Sequence, residues 1–266
     1  MTAAIARVVA IGCMAAATLF LLAPLLVIAA ASFSPTPVFD LPIGGASLRW
    51  YGAVGALDGF WPALALSLEI AVLSTAISLS IGTLAGIAIT RGLMPGAGIL
   101  SAALASPLMM PGLVLGIALL QFFRGLGLSQ VFPALLMAHV VVTLPYVART
   151  MIAGLSRFDF TLIDAARTLG CNFPAAIVRV TAPALAPAYL ASGLFAFLAS
   201  MDNYPVSIFL TDARTKTLPI KMLQYIEESP DPSIAALSTL ILLATLALLL
   251  FADRAVGLHR LAGLSE

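Results

Sequence analysis

The chain has 266 residues, of which 61% are hydrophobic and only 9% charged, with a mean hydropathy of +1.09. A soluble domain carries about a quarter charged residues, so lipid must be the solvent for most of this chain. The formal net charge of +1 implies no bulk attraction to nucleic acid, and Cys13, Cys171, His139 and His259 suggest neither a disulfide framework nor a multi-histidine metal site.

Val8 to Ala31 carries no charge and follows Arg7. A secretory signal also starts with a basic residue, but its apolar core runs only about 7–15 residues. The stretch is therefore read as a retained membrane helix, with Pro24 placed to kink it. Ser32 to Trp61 is polar and aromatic, with Pro35, Pro37, Pro42, Gly44 and Gly45. It reads as an extramembrane loop with a short interfacial helix around 48–57, and Trp50, Tyr51 and Trp61 as interface anchors. Pro62 to Thr90 is the second span. Its Gly82-x-x-x-Gly86 lets another helix approach closely, and Glu69 lies roughly 10 Å inside it at 1.5 Å per residue. The third, Gly98 to Phe123, is interrupted by Ser106-Pro107-Leu108-Met109-Met110-Pro111-Gly112. Such a break survives in lipid only when it faces protein or a water-filled path. The fourth starts at Phe132 and contains His139 and Pro145. The fifth starts at Pro183 and ends in Asp202-Asn203-Tyr204-Pro205. Residues 206–232 read as a polar loop, and Asp231 with Pro232 starts the sixth span. The expected spans are thus 8–31, 62–90, 98–123, 132–153, 183–202 and 233–252, within one domain over 1–266. With both ends inside, eight basic residues fall in the cytoplasm (Arg7, Arg91, Arg149, Arg157, Arg167, Arg179, Arg254, Arg260) and five outside, the sign of the positive-inside rule.

Between the fourth and fifth spans, 160–182 is too polar to cross a bilayer, with Arg157, Asp159, Asp164, Arg167 and Arg179 close together. It still has helical rhythm. Leu162, Ala166, Leu169 and Phe173 form an apolar stripe, with Thr161, Asp164, Thr168 and Asn172 off it. Gly170 suits the left-handed turn that ends a helix. Asn172 can cap a second helix, with Pro174 in its first turn. The segment is expected to be a helix, a tight turn and a helix on the inner membrane face.

This pattern resembles the E-A-A-x-x-x-G-x9-I-x-L-P loop of the membrane subunits of ABC importers. Ala165, Ala166, Gly170 and Pro183 match outright; Asp164 stands for Glu, Val180 for Ile and Ala182 for Leu. The run from Pro107 to Ile117, Thr217-Leu218-Pro219 and Asp231 to Ala236 also resemble the permeases of this family, specifically those of spermidine/putrescine type. The resemblance implies an all-α membrane protein of six transmembrane helices with a cytoplasmic coupling helix, the type I importer permease fold. It implies a bacterial inner membrane location with both termini cytoplasmic. The implied partners are an ATPase dimer that binds ATP and Mg, a second, non-identical permease subunit and an extracytoplasmic binding protein. Asp164, Ala165, Ala166, Leu169, Gly170, Phe173 and Pro183 would couple to the ATPase. The chain itself has no G-K-[ST] sequence, since Lys216 and Lys221 follow Thr215 and Ile220, so no cofactor and no hydrolysis are expected on it.

An acid within a bilayer is costly and usually faces a cavity or a partner. Glu69 is therefore a candidate for contact with a cationic solute such as a polyamine. The alternative is a structural pairing with His139. His139, Asp202, Asn203 and Tyr204 are further candidates for the substrate path, His139 being equally readable as structural. A stand-alone secondary transporter or a channel is the competing function. The few ionisable groups in the spans and the lack of a visible inverted repeat argue against the former. The amphipathic cytoplasmic segment argues against the latter.

Overall fold

Prolines and glycines, more than hydrophobic runs, divide this chain into its helices. The computed structural model describes residues 2–38, 45–228 and 230–256. Pro42, Gly44, His259 and Arg260 lie outside them. In order come α1 (Thr2–Ala31), α2 (Arg49–Val54), α3 (Phe60–Thr90), α4 (Ala97–Ala105), a 3-10 turn (Ser106–Met109), α5 (Gly112–Gly125), α6 (Val131–Leu155) and α7 (Thr161–Thr168). They are followed by α8 (Phe173–Ala176), a π turn (Ile177–Thr181), α9 (Ala182–Ala184), α10 (Ala186–Met201), α11 (Tyr204–Leu210), α12 (Leu218–Glu228) and α13 (Ser233–Val256). No strand occurs among the described residues.

Among the described residues, four stretches are each long and apolar enough to cross a bilayer: Ile5–Ala31, Phe60–Thr90, Val131–Leu155 and Ser233–Arg254. Two more crossings arise only if each of two bent pairs counts as one, Ala97–Met109 with Gly112–Gly125 at 110° and Phe173–Ala184 with Ala186–Met201 at 91°. The 98–123 stretch is therefore no straight rod. At 1.5 Å per residue α5 is about 21 Å long, short of a hydrocarbon layer of about 30 Å. Pro107 and Pro111 make the break, each removing a donor, with Met110 extended between them. At the second bend Pro183 follows the π turn, Pro187 follows one residue into α10, and Leu185 leaves helical geometry at φ −108°, ψ 22°.

The chain divides into two units. In the larger, residues 61–221 and 249–266, α6 is the centre. One apolar cluster joins Ile70, Leu115, Phe123, Leu135, Val206 and Leu210; another joins Ile87, Val147, Met151, Leu155 and Ala196. α3 meets α6 through the two glycines. A Cβ at Gly82 would lie 2.7 Å from Val147, and one at Gly86 2.8 Å from Leu155.

In the smaller unit, residues 1–60 and 222–248, α2 is tied back onto the end of α1. The Trp50 indole N–H donates to the Ser34 carbonyl at 2.8 Å, and the Tyr51 and Ser32 hydroxyls lie 2.7 Å apart. Trp50 and Tyr51, expected as interface anchors, also tie down this loop; Trp61 is exposed. At the sixth span the Asp231 carboxylate accepts from the Ser233 N–H at 2.8 Å.

The expected polar loop over 206–232 is instead largely helical. α11 and α12 each begin on a proline, Pro205 and Pro219, in the first turn, where a missing N–H costs nothing. α12 is amphipathic, burying Leu218 and Ile220 and exposing Glu227 and Glu228. The charged residues of 206–232, Lys221, Glu227 and Glu228 among them, suggested a loop and hid both helices.

Candidate functional site

The polar hairpin takes the form its local chemistry requires. α7 opens beneath Asp159, whose carboxylate accepts from the Thr161 N–H at 3.0 Å and the Thr161 hydroxyl at 2.7 Å. These bonds hold the Asp159 carboxyl below its usual pKa. After α7 the chain turns at Gly170, φ +90°. The Asn172 side chain then accepts from the Ala175 N–H at 2.9 Å, capping α8, with Pro174 in the first turn.

The apolar stripe divides differently from its helical phase. Ile163 is the inward anchor at 0% exposure, while Phe160 and Phe173 pack against the Ile87–Met151–Leu155 cluster. Leu162 faces outward, and Leu169 is 88% exposed. Ala165 is exposed and Ala166 half-buried. The Asp164 carboxylate accepts from one Arg91 guanidinium nitrogen at 3.0 and 3.2 Å, and that guanidinium lies 5.2 Å from the Phe160 ring centroid. Arg91 thus connects the end of α3 to the hairpin. Beside it is a shallow cleft of about 540 Å³, lined by Asp164, Arg167, Thr168, Cys171, Asn172 and Phe173. Pro183, assigned to coupling, stands exposed at the 91° bend where α9 meets α10.

The candidates for the path separate into three environments. Glu69 is exposed on α3, on a face it shares with Leu68, Val72 and Leu73, and makes no hydrogen bond or ion pair among the described residues. Its pairing with His139 is not found. Both His139 nitrogens are engaged elsewhere, Nδ1 2.7 Å from the Ser200 hydroxyl and Nε2 3.0 Å from that of Ser207. Asp202 is exposed and Tyr204 half-buried. Asn203 caps α11 by accepting from the Val206 N–H at 3.2 Å.

Asn203 also lines a cavity of about 170 Å³, together with Pro107, Met110, Gly112, Tyr146 and Pro205. The mid-span break at 106–112 and the break at 202–203 therefore face one space, as a helix break in lipid requires. The cavity walls beyond Asn203, the serines around His139 and the Arg91 contact were not anticipated. One signal was available: Ser67, Ser74 and Ser78 lie at helical spacing on α3, and all three are buried.

Residues 81–260 match the family described as binding-protein-dependent transport system inner membrane component. The chain is 30% identical over 246 residues to the spermidine/putrescine transport system permease protein PotC of Escherichia coli (strain K12), covering 92% of this chain and 93% of that protein. It is 30% identical over 230 residues to the putrescine transport system permease protein PotI of the same organism, covering 84% and 82%. Against the sulfoquinovosyl glycerol transport system permease protein SmoH of Agrobacterium fabrum the identity is 27% over 195 residues, covering 72% and 68%. Among solved structures, a chain of a bacterial ABC transporter involved in the import of the acidic polysaccharide alginate matches with TM-score 0.75 and 17% identity, over 96% of this chain and 97% of that one. That likeness concerns the fold.

Proposed function

This chain belongs to the family of binding-protein-dependent transport system inner membrane components and is an ABC importer permease, and from that premise we propose that it carries a polyamine or a similar small cationic amine. Support comes from its identity to two permeases of spermidine and putrescine systems over most of its length. Another relative, SmoH, is named for sulfoquinovosyl glycerol transport, so cargo does not follow from the fold. Chemistry inside this chain adds to the reading. Glu69 is an unpartnered acid on an apolar helix face, and it offers an ammonium group the opposite charge where water is scarce.

The hairpin over Asp159–Pro183 is the entry point for energy in this reading. Two partner ATPase subunits, holding ATP and Mg, close on nucleotide. Leu162 and Leu169, exposed here, seat in a groove of that partner. Arg91 then carries the displacement into α3 through Asp164. A second, non-identical permease completes the path, a binding protein delivers cargo at the outer mouth, and both termini lie in the cytoplasm. ATP hydrolysis belongs to the partner.

The observation that carries this reading is the hairpin itself, an apolar surface left bare on a polar segment of a greasy chain. The test is reconstitution of the complete transporter in proteoliposomes with labelled putrescine. Uptake that requires ATP, the binding protein and Glu69 is the expected result, with Glu69→Gln raising the KM several-fold. Uptake driven by a sodium or proton gradient alone, without the ATPase, would overturn the assignment. Unaltered kinetics for Glu69→Gln would reject the role of that acid.

A further inference from the structure

The fifth span ends where α10 gives way to α11 at Asp202–Asn203, and one imidazole touches both helices. His139, on α6, is 2% exposed. Its Nδ1 meets Ser200 in the last turn of α10, and its Nε2 meets Ser207 in α11. The Ser207 hydroxyl in turn donates to the backbone carbonyl of Asn203. From the other side, the Ser74 hydroxyl of α3 donates to Ser200 Oγ at 3.3 Å, sharing its proton with the Ala71 carbonyl at 3.3 Å. Ser74, Ser200 and Ser207 are all buried.

Counting protons fixes the direction of this chain. A hydroxyl has one proton. That of Ser207 is committed to the Asn203 carbonyl, so its oxygen must accept, and His139 donates from Nε2–H. Nδ1 is then a lone pair, and Ser200 donates to it. The Ser200 oxygen is left to accept from Ser74. The four bonds run one way, from α3 through neutral His139 to the backbone of Asn203, and every side-chain polar group of this chain of bonds is satisfied.

We propose that His139 is a positioning residue: through Ser200 and Ser207 it sets the angle between α10 and α11, and so holds Asn203 and Pro205 against the cavity at the 107–112 break without touching cargo. This rests on reading that cavity as part of the solute path, so the test uses a readout that needs no cargo. In the complete transporter in membranes, with Cys13 and Cys171 replaced by alanine, Met110→Cys reports on the cavity wall. Its rate of reaction with a small, charged methanethiosulfonate reagent is measured.

His139→Leu, close in volume but without polar atoms, is expected to raise that rate several-fold. His139→Gln places its amide nitrogen where Nε2 stood, keeps the donor to Ser207 and restores most of the native rate. The shorter side chain of His139→Asn reaches only Ser200 and does not. Ser207→Ala alone reproduces the leucine effect, and the two combined add nothing further. Native labelling in the leucine and asparagine variants, at native membrane levels, would overturn the proposal. So would equal behaviour of the glutamine and asparagine variants, the comparison that decides if the leucine variant does not insert. Absent putrescine uptake with the labelling pattern intact would remove the polyamine reading and leave His139 in place.

Discussion

Two bends in this chain have the same local cause and opposite surroundings. Pro107 and Pro111 make the 110° bend between α4 and α5, and Pro183 and Pro187 make the 91° bend between α9 and α10. The first is braced along α5, although Met109 and Pro111 at its corner are exposed. α11 lies against the glycine face of α5, so closely that a Cβ at Gly112 would stand 2.9 Å from Pro205. At the second, Pro183 and Ala184 are exposed, and the hairpin before it leaves Leu169 and Val178 bare. A braced bend is a wall, and it frames the cavity. An open bend leaves its surface free, and under the function proposed above that surface is where the ATPase partner would dock. Proline supplies the geometry in both; what differs is what packs around it.

If that contrast is right, damage in the hairpin that leads into the open bend should abolish transport with little loss of stability. Gly170→Pro is the sharpest case. Proline cannot adopt φ +90°, and it removes the N–H that donates to the Arg167 carbonyl at 3.1 Å, while no atom within 4 Å obstructs a side chain there. The protein is expected in the membrane at native levels, with ATPase co-purification lost and uptake reduced more than ten-fold, roughly the effect of 1.4 kcal/mol or more. Asp164→Lys, which reverses the charge facing Arg91, should act in the same direction. Native recovery of the ATPase with both variants would break the comparison.

The braced bend should behave in reverse. At Gly116 a methyl group would lie 2.7 Å from the Phe209 ring, 2.9 Å from the Pro205 carbonyl and 3.1 Å from the Val206 Cα. Two of these are backbone and cannot swing away. Gly116→Ala is expected to cost about 1–3 kcal/mol, the usual range for overpacking, read as a lowered Tm in detergent, while ATPase binding persists. A smaller effect follows at the link between hairpin and α3. Arg91→Ala removes a half-exposed ion pair, worth about 0–1 kcal/mol. Its expected signature is a changed ratio of ATP hydrolysed to solute moved rather than a lower Tm.

The contrast also marks what was legible in the sequence. The hairpin was readable because Gly170, Asn172 and Pro174 act through their own backbones, and such chemistry needs no knowledge of neighbours. The inward anchor was not. Helical phase gathered Leu162, Ala166, Leu169 and Phe173 into one face, but a face that seats in a partner carries the same pattern as one that seats in the core. Ile163 turned out to be the core residue. A pairing of His139 with Glu69 was one of the alternatives, and it does not form. His139 instead meets Ser200 and Ser207, common residues that give no signal until a helix break brings them to one ring. The helices of 206–232 were hidden for a related reason, since the charges that suggested a loop lie on the exposed side of an amphipathic helix whose other side is buried.

The smallest effect tests whether the hairpin depends on its own capping rather than on the membrane. The Asp159 carboxyl lies below its usual pKa because the ionised form accepts from the Thr161 hydroxyl and N–H. A carboxyl whose folded pKa lies below its unfolded value contributes stability that is complete above the unfolded value, and that is lost as pH falls through the lowered folded one. Protection of the first-turn amides of α7 against hydrogen exchange should therefore be full at neutral pH and decline in acid. Asp159→Asn keeps an oxygen acceptor but cannot titrate, so its protection, referenced to intrinsic exchange rates, should not change with pH. Asp159→Ala should be unprotected at every pH. If wild type and the asparagine variant fall together on acidification, the pH dependence belongs to some other group, and the first turn of α7 is held by packing around Ile163 rather than by its cap.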